Sequence, residues 1–179
     1  MTETISKGTI TGIMNWLYVH FFTPLESGVV NAVANLFYGK HGLFGLFHYD
    51  HPVHPLLVHV TIGSITAAFL LVYIGWIFNK PALYTSARHV IIISFVAYFF
   101  TAAFGLMDWQ HVYQHAWGPN IEMKLIFAPL LFLWLLGIII SNRRAGPGSL
   151  PSKIFYLVAF INVVFLGYFG GNIVYGNGV

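Results

Sequence analysis

Four histidines bracket two long apolar segments: His54 and His59 open one, and His111 and His115 close the next. If the segments are antiparallel helices in a bilayer, all four imidazoles fall at one edge of the membrane, where a buried imidazole needs a hydrogen-bond partner or a ligand. Neutral imidazole is a metal ligand through either ring nitrogen. The chain has no cysteine, which excludes disulfides, c-type haem attachment, iron–sulfur clusters and thiolate sites. A ligand set must therefore come from imidazole, carboxylate, amine or backbone.

Helix geometry sets expectations for which imidazoles meet. At 1.5 Å per residue His54 and His59 differ in depth by roughly 7 Å, and His111 and His115 by roughly 6 Å. Antiparallel pairing then places His59 at the level of His111 and His54 at the level of His115. At 100° per residue His54 and His59 point about 140° apart, so one is the expected axial ligand and the other a second ligand or a hydrogen-bonding group. Haem b is the cofactor that best fits two neutral imidazoles facing each other across helices in a cysteine-free bundle. The expected iron ligands are His59 with His111 or His115, His54 lying beside them. Gly63 and Thr66 on the His59 side, and Ala103, Phe104 and Gly105 below His111, supply small residues where a ring edge would go, although small residues also pack plain membrane helices.

Lys124 could hold a haem propionate, and Asp108 and Glu122 could relay protons at a quinol pocket; the plainer reading is that all three mark the membrane boundary. Interfacial hydrogen bonding is the plainer reading of each histidine. His89 has no histidine opposite and reads as structural. His20, His41, His48 and His51 read as interfacial side chains or a surface metal site.

These residues need elements to carry them. Apolar residues make up 58% of the chain and charged residues 7%, against about 25% charged in soluble domains, which defines a polytopic membrane protein. Four spans of near bilayer length are expected, from about His54 to Phe78, Ser86 to Met107, Ile121 to Ser141 and Ser152 to Asn172. Connectors at Asn79–Pro81, Trp117–Asn120 and Ala145–Pro151 are rich in helix-stopping residues. The fold class is all-α: an integral membrane four-helix bundle over 54–179 with an N-terminal interfacial arm over 1–53. In the arm, Thr23-Pro24-Leu25-Glu26 reads as a capping box and Gly39 as a helix stop, giving a helix of about fifteen residues, too short to span. The first residues lack the apolar core of a cleavable signal, so the arm is expected to be retained. It either anchors the bundle or docks another protein.

Charge sets the orientation. Lys80, Arg88, Arg143, Arg144 and Lys153 lie in or beside the loops after spans one and three without an acid, while Glu3, Glu26, Asp50, Asp108 and Glu122 lie on the other side. The basic side is expected to face the cytoplasm of a bacterial inner membrane and both termini the periplasm. The sequence pI near 9.2 reflects these few helix-end cations and does not imply nucleic acid. No phosphate loop, nucleophile motif, paired catalytic carboxylates or dinucleotide fingerprint is present.

The run His54-Pro55-Leu56-Leu57-Val58-His59, with Gly105-Leu106-Met107-Asp108-Trp109 and the terminal Gly170-Gly171-Asn172-Ile173-Val174-Tyr175-Gly176-Asn177-Gly178-Val179, resembles the bacterial four-helix membrane family catalogued as domain of unknown function 2231. The resemblance covers roughly His54 to Val179 and implies a b-type cytochrome. Two positions depart from the family pattern: Glu122, Met123 and Lys124 stand where a histidine is expected near the start of the third helix, and Asn177 stands where one is expected in the tail. Either His111 or His115 then supplies the second ligand, or the haem site has been lost. Three functions follow: a cytochrome b subunit passing electrons between quinol and a periplasmic cytochrome or other subunit; a non-redox structural subunit of a respiratory or photosynthetic membrane complex; and a histidine-lined metal or ion carrier, which the lack of mid-membrane charge in spans three and four disfavours.

Overall fold

A computed structural model describes residues 53–114 and 117–176 continuously, together with 12, 16, 20, 31–38 and 42–46. Two compact units divide the chain at His51 and Pro52. In Met1–His51, helix α1 runs over Asn31–Phe37 and the short α2 over Leu43–Leu46. Phe44 packs against Phe37 and edge-on against Tyr38, at 5.5 and 5.3 Å between ring centroids. The expected start of the arm helix at Thr23 lies outside the described residues.

Pro52–Val179 contains α3 (His54–Ile77), α4 (Pro81–His111), α5 (Pro119–Arg144) and α6 (Leu150–Tyr175), each long and apolar enough to cross a membrane. Each starts on a proline at its first or second position, where the missing N–H is one no helix could pair. Consecutive helices are antiparallel neighbours, and α6 returns to pack on α3, closing an up-down-up-down bundle. The α3–α4 turn is tight: Asn79 adopts a left-handed φ of 50° and the Lys80 N–H reaches the Gly75 carbonyl at 2.8 Å. That is a Schellman-type stop.

The interior is narrow. Ile65, Ala68, Val72, Ala87, Ile91, Leu131, Leu135, Ile138, Tyr156, Ala159 and Val163 form one buried cluster. Many large apolar side chains, among them Leu70, Ile74, Ile93, Phe100, Leu133 and Val164, face outward on all four helices. In water this much apolar surface would drive aggregation. Lipid is its natural solvent, and the helices then associate through close packing and hydrogen bonds rather than through the hydrophobic effect.

The observed spans exceed those expected at most ends, and one difference has consequences. α4 has 31 residues against 24 in α3, so it runs about 10 Å beyond the start of its neighbour. His111 sits in that overhang.

Candidate functional site

His54 is the first residue of α3, so its backbone N–H has no partner within its own helix. The Asp108 carboxylate, from the far end of α4, accepts that N–H at 2.7 Å. An acid at a helix N-terminus also meets the positive end of the helix dipole. Together these account for a carboxylate that is only 2% exposed.

The His54 ring then fixes its own tautomer. Its Nδ1 lies 2.8 Å from the Thr101 carbonyl oxygen; a carbonyl only accepts, so Nδ1 carries the proton. Nε2 is left with its lone pair, and the Lys124 ammonium from α5 donates to it at 3.1 Å. One histidine thus joins α3, α4 and α5. A turn deeper, the Thr101 hydroxyl donates to the Leu57 carbonyl at 3.3 Å, so at the 2.7 Å contact between the two threonine hydroxyls Thr61 is the donor.

Glycines supply the clearance. A Cβ on Gly105 would sit 2.8 Å from His54 Nδ1, and one on Gly170 of α6 would meet Lys124 Nζ at 3.7 Å. All four helices therefore contribute to this end of the bundle. Tyr113, in the loop beyond α4, has its phenol pushed above the usual range by burial first and by the Asp108 carboxylate second.

The other candidates are placed differently. His59 is exposed on the outer face of α3, its Nδ1 turned back to the Pro55 carbonyl. His54 and His59 thus diverge as their spacing requires. Gly63, one turn further on, has open space where a Cβ would be. His111 is also exposed, with Nδ1 3.1 Å from the Met107 carbonyl. The expected level of His59 is not the observed one; that of His54 against His115 lies outside the described residues. Leu57 and Thr61 both contact Thr101, which puts His59 at the level of Thr101, and from there to His111 the helix rises about 15 Å. The overhang of α4 is the reason: His54, not His59, lies beside Gly105 and Asp108.

His115 lies outside the described residues, as do His41, His48 and His51. His89 is exposed, and His20 stacks on Trp16 at 4.9 Å between centroids. Among the described residues no group of three or more His, Asp and Glu side chains is gathered as a metal site would require.

Among the described residues no two imidazoles face each other across the bundle. Both nitrogens of His54 are engaged, only a glycine at 105 leaves room for its ring, and His59 and His111 are exposed at different depths. Among the described residues, His54, His59 and His111 do not form a pair that could hold a haem between them; His115, the other expected ligand, lies outside those residues. Chemically, the cluster is an interlock of buried carboxylate, neutral imidazole and ammonium whose members satisfy one another.

Spacing alone picked out His54, Asp108 and Lys124 but not their mutual contact. It missed Thr101 and Thr61, which nothing sets apart from the other hydroxyl residues of the same apolar runs, such as Ser64, Thr66 and Ser94, and it assigned Gly105 to a cofactor edge rather than to the His54 ring.

Fold and site define a class: a polytopic four-helix membrane protein with a buried polar interlock at one end of the bundle. The chain belongs to the family described as Predicted membrane protein (DUF2231), whose profile matches residues 50–179. Neither the curated proteins nor the solved structures contain a match to it.

Proposed function

We propose that this chain is a non-redox structural subunit of a larger membrane complex, its bundle held in register by the Asp108–His54–Lys124 interlock. One observation carries the reading. The Nε2 lone pair of His54, the one candidate imidazole inside the bundle among the described residues, is taken by the Lys124 ammonium. An ammonium there fills the position an iron would need and opposes any cation beside it. Glycine at 105 and 170 gives the imidazole and the amine close seats, as expected of a packing device.

A second reading is favoured by His59. Its Nδ1 faces a backbone carbonyl, the arrangement that fixes the tautomer of many ligating histidines and leaves Nε2 with a lone pair, and the residue is exposed one turn from the open surface at Gly63. A haem b held there would take its second axial nitrogen from another chain, placing this subunit between quinol and a periplasmic partner. Such a group would supply one-electron chemistry, and this chain would contribute the imidazole and a glycine-lined approach.

The test is a reduced-minus-oxidised absorption spectrum of the complex isolated in mild detergent. A structural role predicts no b-type signal that depends on this chain. A signal that disappears in His59→Ala supports the second reading instead, and one that disappears in His54→Ala while the subunit remains in the complex overturns the interlock.

A further inference from the structure

Within Pro52–Val179 the two carboxylates, Asp108 and Glu122, lie at the end of the bundle that holds His54, and Lys80, Arg88, Arg143, Arg144 and Lys153 lie toward the opposite end. No acid of this unit neutralises those five cations. That end of the unit therefore carries five positive charges without an acid of the unit beside them.

The α3–α6 edge has the groups to seat an anion. Lys153 Nζ lies 4.5 Å from the ring centroid of Trp76, and its backbone carbonyl accepts the Tyr73 hydroxyl at 3.3 Å. Trp76 is 56% exposed, and Tyr73 meets it edge-on at 6.0 Å. Deeper along the same edge, Phe69 stacks on Phe160 at 4.3 Å and touches Tyr73 at 4.6 Å. The edge thus has an ammonium and an indole near the helix ends and an aromatic strip running toward mid-membrane. Amphipathic tryptophan and lysine at a helix end sit at headgroup depth.

We propose that this edge is a binding site for an acidic phospholipid. Lys153, held by Trp76, neutralises the headgroup phosphate, and the acyl chains lie along Tyr73, Phe69 and Phe160. A zwitterionic lipid brings its own cation toward five others, whereas phosphatidylglycerol brings none. The preference is therefore for net negative charge as well as for phosphate.

Native mass spectrometry of the chain extracted from vesicles of equal phosphatidylglycerol and phosphatidylcholine reads the lipid that stays bound. The expected result is enrichment of phosphatidylglycerol. Lys153→Gln should cut that enrichment about fivefold, the effect of one cation on an anionic lipid, and Lys153→Arg should keep it. Inorganic phosphate should not displace the lipid, because it has no acyl chains for the aromatic strip. Equal retention of the two lipids by the unaltered chain overturns the proposal, as does unchanged enrichment in Lys153→Gln or displacement by inorganic phosphate.

Discussion

His54 makes three polar contacts with two other helices, and its neighbours were shaped to allow them. Gly105→Ala places a Cβ at 2.8 Å from the ring, so it should cost about 2 kcal/mol, as overpacking does, read as a lower unfolding temperature in detergent. Asp108→Asn leaves the Lys124 charge without its counter-charge and should cost about 3 kcal/mol. The pair Asp108→Asn with Lys124→Met should lose less than the two single changes added together, and simple additivity in that double-mutant cycle would show that the charges are not coupled. Tyr113 gives a pH signature. Its phenol is raised in the folded chain from the ordinary value of 10.0, so the unfolded chain releases that proton first as pH rises. Stability is then complete below about pH 10 and falls above it, and Tyr113→Phe should remove this part of the fall in pH-dependent unfolding. Asn162 points the other way: its buried Oδ1 has no donor among the described residues, so Asn162→Leu should be neutral or stabilising. Sequence showed which residues were polar in apolar surroundings. It could not show which were satisfied, because satisfaction depends on contacts between residues 47 to 70 positions apart.

At the scale of elements, proline starts and glycine or asparagine stops were legible, and so the long helices were. Their relative register was not. Pairing His59 with His111 assumed that α3 and α4 end together, whereas α4 begins at Pro81, before the expected Ser86, and continues through His111. The apolar run understates such a helix, because Tyr84 and Thr85 before Ser86, and Asp108, Gln110 and His111 after Met107, are polar residues that do not break it. The angular part of the reading survives, since it depends only on α-helical geometry. It yields a contrast in stability: His59→Ala, on the exposed face, should change unfolding by no more than about 0.5 kcal/mol, while His54→Ala, which strands both Asp108 and Lys124, should be several times more costly. Equal effects in the same thermal assay would contradict the observed facing of the two rings.

For the whole molecule, charge and apolar surface agree on a membrane bundle with one basic and one polar end. Which end faces the cytoplasm follows from the positive-inside tendency alone; reporter fusions after Tyr175 and in the Ala145–Pro151 loop should place the first outside and the second in the cytoplasm, and the reverse would invert the orientation. The function was the least legible level, because a histidine pattern suited to haem is also suited to a polar interlock; the contact of Lys124 with His54 is what favours the interlock in our proposal. The interlock has a direct test. The chain purified alone should give no b-type band in a reduced-minus-oxidised spectrum, because the imidazole that lies inside the bundle among the described residues, His54, is already bound at both nitrogens; a six-coordinate b-type spectrum that His54→Ala abolishes would contradict the account.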